Sequence, residues 1–202
     1  MPSTPRRRLD EDQRRGQIMA AAIAEIADRG YADASLTRIA ERAGISKGLL
    51  WHYFAGRDDL MRSTVVATVA TIRDRVAAEL DLTRPVPEVI RAALHHVADL
   101  RTTHRAELVA LDHIVHNLRH PDGTRQVTLD FYEETYRGQE ALFRRGQEEG
   151  SLRDFDTRVM AVTYQGAVDV MLAFLDNTPG VDAHAYADKL ADILLLGISA
   201  TR

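Results

Sequence analysis

The sequence predicts an all-α protein, and three observations predict it. Ala, Leu and Arg dominate, apolar residues recur at intervals of three and four, and no stretch alternates as a half-buried strand would. Capping residues and glycines fall where those periods break. A chain of 202 residues, 45% hydrophobic and 28% charged, has room for one large domain or two small ones.

The opening "MPSTPRRRLDED" holds a basic run, Arg6 to Arg8, and reads with its prolines as a disordered arm over residues 1–12. Such an arm suits a minor groove, but Asp10, Glu11 and Asp12 oppose its charge. A first helix is predicted from Arg14 to Arg29, with Ile18, Ala22, Ile26 and Ala27 on one stripe and Gly30 as its stop. Ser35 then caps a short helix from Leu36 to Ala43, whose Leu36, Ile39, Ala40 and Ala43 point inward, and Gly44 ends it. Ser46 caps a third helix through Tyr53, and after "AGRDD" a long helix runs from Asp58 to Leu80.

Two short helices joined by a glycine-containing turn, behind a supporting helix, make a helix-turn-helix whose second short helix is free to enter a DNA major groove. In such a unit Ile45, Leu50 and Phe54 pack inward. Lys47, Gly48, Leu49, Trp51, His52 and Tyr53 then face outward, which explains why cationic, aromatic and apolar side chains crowd "GISKGLLWHYF". Charge agrees with this placement. The formal net charge is −4, yet residues 1–57 carry 10 Lys and Arg against 7 Asp and Glu, and the remainder 16 against 23.

Residues 61–202 read as a second, larger helical domain after a first of residues 1–60. "TRPVPE" breaks the long helix and starts another near Pro87, and "RTTHR" separates that from a helix over Ala106 to Arg119. "HPDG" is expected to turn directly into a long helix ending at Gly150; two more follow, Asp156 to Asp176 and Asp182 to Ile198. The last two are apolar over more than one face, so a partner must cover part of them. The expected homodimer face is Val168, Met171, Leu172, Leu175, Leu190, Ile193, Leu194 and Gly197.

Several classes are excluded. The chain has no cysteine, hence no disulfide or thiolate metal site, and a reducing cytoplasm is the expected compartment. With no apolar leader and no run of about 18 apolar residues, no membrane partner is expected. The sequence shows no nucleophile elbow, zinc-protease helix or phosphate-binding glycine loop, so no catalytic residue, metal or cofactor is expected and the chain is not read as an enzyme. One alternative stays open. His113, His116 and His120 fall at i, i+3 and i+7 with Asp112 beside them, and His95 and His96 lie on the preceding helix; imidazoles at this spacing are able to share a metal, giving a metal-responsive regulator or a metal-dependent hydrolase.

The stretch "SLTRIAERAGISKGLLWHYFAGRDDL" resembles the signature of the TetR family of one-component transcriptional regulators, ungapped from Ile39 through Gly44 and Phe54 to Leu60. The resemblance covers residues 14–60. It differs at Trp51, where the family usually has Tyr, at Leu49, where Thr is common, and at Arg57, where Lys is usual. It implies a dimeric, cytoplasmic repressor that binds double-stranded operator DNA and is released by a small-molecule effector. Ser35, Trp51, Tyr53 and Arg57 would hold phosphates, while Thr37, Lys47, Gly48, Leu49 and His52 would lie nearest base edges, with the capping Ser46 among them. The last two helices would pair with their mates as a four-helix bundle. An effector cavity is likewise implied, and its expected lining is His113, His116, Phe131, Tyr132, Tyr136, Tyr164 and Gln165.

Overall fold

The computed structural model describes residues 10–200. Among these it forms nine α-helices: α1 Glu11–Arg29, α2 Leu36–Arg42, α3 Lys47–Tyr53, α4 Arg57–Ala78, α5 Val86–Thr103, α6 Arg105–Asn117, α7 Glu133–Glu148, α8 Thr157–Asn177 and α9 Ala183–Ile198. A 3-10 turn, Leu129–Tyr132, leads into α7. The all-α expectation holds, with two isolated β-bridges and no strand in the described residues.

The first helix begins earlier than the sequence suggested. Asp10 accepts a hydrogen bond from the Gln13 amide at 2.8 Å, and the Gln13 side chain accepts one from the Asp10 amide, a capping box that satisfies two end groups at once. Residues 10–12 therefore belong to a helix start and not to a disordered arm. Arg6 to Arg8 lie outside the described residues.

Packing divides the described residues into two compact units, one of those up to Thr68 with Ala106–Thr128, the other of Val69–Arg105 with those from Leu129 on. In the first, Ile18, Ala22, Ile26, Ile39, Ala40, Leu50, Phe54, Leu60 and Met61 are buried together with Ile114 and Leu118. α6 and the turn after it join this unit, where the Gln126 amide donates to Asp58 at 2.8 Å.

The second unit is a bundle of α5, α7, α8 and α9. Leu94, Ile90, Phe143, Ala161, Met171, Leu175, Ala187 and Ala191 are fully or almost fully buried in it. Polar side chains bridge α5 and α9: Asp188 accepts from Arg91 at 3.1 Å and is bonded to His95 at 2.8 Å, while His184 is bonded to Asp99 at 2.7 Å. At the close of α7, the Gly146 Cα lies so near Leu152 and Val86 that a methyl group there would overlap both.

The segment from 121 to 132 departs from the expected long helix. Asp122 accepts from both the amide and the hydroxyl of Thr124, and the Gln126 amide bonds back to the Leu118 carbonyl. These local bonds satisfy the backbone in a turn, so α7 starts only at Glu133.

Candidate nucleic-acid interface

Three local features build the helix-turn-helix. Ser35 accepts from the Arg38 amide at 3.3 Å and Ser46 from the Leu49 amide at 3.1 Å, so both short helices start on hydroxyl caps. Between them Gly44 takes a φ of 67°, a left-handed conformation that costs a side-chain-bearing residue dearly, and the chain turns sharply there. The Ile45 amide then closes the turn onto the Ala40 carbonyl at 3.0 Å.

This geometry sorts α3 into two faces. Leu50 and the following Phe54 are buried, whereas Lys47, Gly48, Leu49, Trp51 and His52 are exposed and Tyr53 is half-buried. Ile45 is half-buried as well. Trp51 keeps 48% of its surface in solvent, a costly exposure for a large ring that makes sense on a binding face. The Lys47 ammonium pairs with no carboxylate among the described residues, and Ser35 and Thr37 on α2 are exposed too. A helix with a free cation, an aromatic ring and a bare glycine on one exposed face is suited to DNA, which needs positive charge, stacking or donor groups and close backbone approach.

Arg57 behaves differently from the others. Its guanidinium stacks on the Tyr31 ring at 4.0 Å and donates to the Tyr31 carbonyl, tying the start of α4 to the turn after α1. Burial pushes the Tyr31 phenol above its ordinary range, although the adjacent Arg57 opposes that shift.

A model of the bacterial regulatory proteins of the tetR family matches residues 18–64, which takes in α1, both short helices and the start of α4. That stretch of the chain is similar to the tetR family of bacterial regulatory proteins. The regulator BetI 1 of Chromohalobacter salexigens is 44% identical over 64 residues, 32% of either chain, and the activator FasR of Mycolicibacterium smegmatis 35% identical over 92 residues, 46% of this chain and 42% of that one. The matched region thus spans about a third of the length of the first of these curated relatives and under half of the second. Among solved structures, the fatty acid degradation regulator FadR from Bacillus halodurans aligns with a TM-score of 0.76 at 18% identity, covering 96% of this chain and 97% of that one. FadR from Bacillus subtilis, solved in complex with stearoyl-CoA, aligns with a TM-score of 0.72 at 18% identity over 90% and 98% of the two chains. The fold of these solved structures therefore extends over nearly the whole chain, whereas the family match is confined to residues 18–64.

The seven residues expected to line an effector cavity divide between the two units. Phe131, Tyr132, Tyr136, Tyr164 and Gln165 fall in the second, and His113 and His116 in the first. Tyr132, Tyr136, Tyr164 and Gln165 are buried, and Phe131 lies against Tyr132 with ring centres 4.3 Å apart. The sequence reading missed the group at their centre. Asp169 accepts from the Tyr132 hydroxyl at 2.8 Å and from the Gln165 amide at 2.9 Å, and Gln139 donates to Gln165 at 2.8 Å. Burial holds the Asp169 carboxyl above the usual carboxylate range, and burial with the Asp169 charge beside it pushes the Tyr132 phenol up. The one sequence signal was a Gln and an Asp at i, i+4 within an otherwise apolar helix. Arg158 covers this site from one side, stacked on Tyr136 at 4.7 Å and paired with Glu133 and Glu140.

His116 is exposed and bonded to its own helix at Asp112, and among the described residues no three His, Cys, Asp or Glu side chains converge as a metal site. The alternative built on His113, His116 and His120 thus finds no support.

The expected dimer face needs a correction. Val168, Met171 and Leu175 are buried within the protomer, Leu172, Leu190 and Leu194 are half-buried, and only Ile193 and Gly197 are exposed. The uncovered apolar surface is instead Val159, Val162, Val170 and Phe174 on α8 with Ile193 and Leu196 on α9. α8 is long and apolar enough by composition to cross a membrane because it carries both of these faces, one spent on the core and one left bare.

Proposed function

We propose that this chain is a homodimeric, one-component transcriptional regulator of the bacterial cytoplasm, a repressor that binds a pseudo-palindromic operator through α3 and is released by a small-molecule effector. The observation that carries the reading is the division of α3, with Leu50 and Phe54 buried and Lys47, Gly48, Leu49, Trp51 and His52 presented together. Ser35, Thr37, Ser46, Tyr53 and Arg57 complete the DNA-facing set, and residues 1–60 form the DNA-binding domain in this reading.

Dimerisation is supported by the bare apolar stripe on α8 and α9. Leu196 alone keeps 89% of its surface exposed, which a lone chain in water does not favour. A two-fold dimer presents two copies of α3, and half-sites then lie one helical turn apart, about 34–36 Å. Effector binding is assigned to residues 61–202, with Tyr132, Tyr136, Tyr164, Gln165 and Asp169 as the polar part of an otherwise aliphatic bundle; the stearoyl-CoA complex of a similarly folded regulator supports a ligand there.

The test is selection of duplexes from a randomised pool by the purified full-length chain. Enrichment of an inverted repeat protected as two half-sites is the expected result. Recovery of no common sequence, with binding equal on all duplexes, would defeat the proposal.

A further inference from the structure

α3 has only two turns, so few contacts fix its orientation. Leu50 and Phe54 anchor one side of it. Its C-terminal end, where carbonyls lack helical partners and negative dipole charge collects, is held by a residue of another helix. Arg15 of α1 donates to the Tyr53 carbonyl, the last in α3, while its guanidinium stacks over the Phe54 ring at 4.4 Å and reaches Ser63 of α4 at 3.4 Å. Two residues further along α1, Gln17 donates to the carbonyl of Ala43, which closes α2, at 2.8 Å. The supporting helix thus caps the ends of both short helices with its own side chains.

We propose that Arg15 is a positioning residue that sets the angle of the recognition helix and, through it, sequence discrimination. The inference rests on the DNA-binding reading above. Base-edge recognition depends on donor geometry, and a helix pinned only by Leu50 and Phe54 is free to swing about those two anchors. Arg15 is half-buried with its guanidinium shared among three elements, so it is engaged by the protein and not offered to phosphate. Lysine does not replace it, since an ammonium lacks the planar fork that stacks on a ring while donating in two directions.

The test uses full-length wild type, Arg15→Ala and Arg15→Lys on the duplex that wild type selects and on a random duplex pool of equal length. Folding of each variant at the assay temperature is checked by circular dichroism; should Arg15→Ala unfold, Arg15→Lys carries the test. Both variants are expected to lose about tenfold in preference for the selected duplex, the order of one mismatched base pair, while random-duplex affinity and its salt slope stay at wild-type values. A general loss of stability alone would not move that ratio. Unchanged preference in folded Arg15→Lys overturns the proposal, as does a uniform loss on both duplexes with a shallower salt slope, which would make Arg15 a phosphate contact. If wild type itself selects no sequence, the DNA-binding reading fails first and takes this one with it.

Discussion

Two glycines of α7 set up a paired experiment in which one substitution has opposite signs. Gly138 is exposed in mid-helix, and a methyl group there meets nothing within 4 Å. Gly138→Ala therefore removes only the backbone entropy cost of glycine, a gain of about 0.5–1 kcal/mol. At Gly146 the new methyl would stand 2.5 Å from Leu152 Cδ1, 2.7 Å from Leu152 Cγ and 3.0 Å from Val86 Cγ1. Leu152 has little room to withdraw: it is 3% exposed, and its own amide donates to the Gly146 carbonyl at 2.9 Å. Overpacking of a tethered core side chain costs toward the upper part of about 1–3 kcal/mol, and the helix-propensity gain of about 1 kcal/mol offsets only part of it. The net is a loss of about 1–2 kcal/mol. For a chain of this size each kcal/mol moves Tm by about 2–4 °C, so thermal unfolding followed by circular dichroism should show Gly146→Ala lower by roughly 2–8 °C and Gly138→Ala higher by roughly 1–4 °C. A Gly146→Ala midpoint at or above wild type would refute the reasoning, because it would mean that Leu152 yields freely.

Lys47→Ala should cost about 1–3 kcal/mol concentrated at one position of each half-site, measured by binding to a panel of single-substituted operators; a loss spread evenly over all sequences makes Lys47 a phosphate contact instead. Arg57→Ala should weaken every duplex and flatten the salt dependence, whereas an unchanged slope leaves Arg57 only its packing on Tyr31. Val170→Asp puts a charge in the middle of the bare α8 face and should yield a folded monomer in sedimentation analysis; a persisting dimer removes that face from the interface. His184, held above its ordinary pKa by the hydrogen bond to Asp99, contributes stability that is full below about pH 6.5 and is lost as the pH rises through its raised value. Wild-type Tm should accordingly fall more than that of Asp99→Asn between neutral and mildly alkaline pH, and parallel curves would remove this pair from the pH dependence.

Sequence alone determined the parts of this protein whose causes are local. The serine caps at 35 and 46, the left-handed Gly44 and the spacing of Ile39, Leu50 and Phe54 all lie within some twenty residues, where turn chemistry and helical period decide structure without distant help. Tertiary structure decided the rest. α8 is apolar on two sides, and period alone carries no mark of which side meets α5 and α7 and which stays bare; packing chose Val168, Met171 and Leu175 for the core and left Val170 and Phe174 outside. The turn at 121–132 rested on side-chain bonds from Asp122 that outcompeted a plausible helix start. Arg15 reads as one more surface cation in a basic segment, and its meeting with a carbonyl 38 residues away exists only once α1 and α3 are packed together. Helix periodicity records which residues share a face; it does not record what that face will touch.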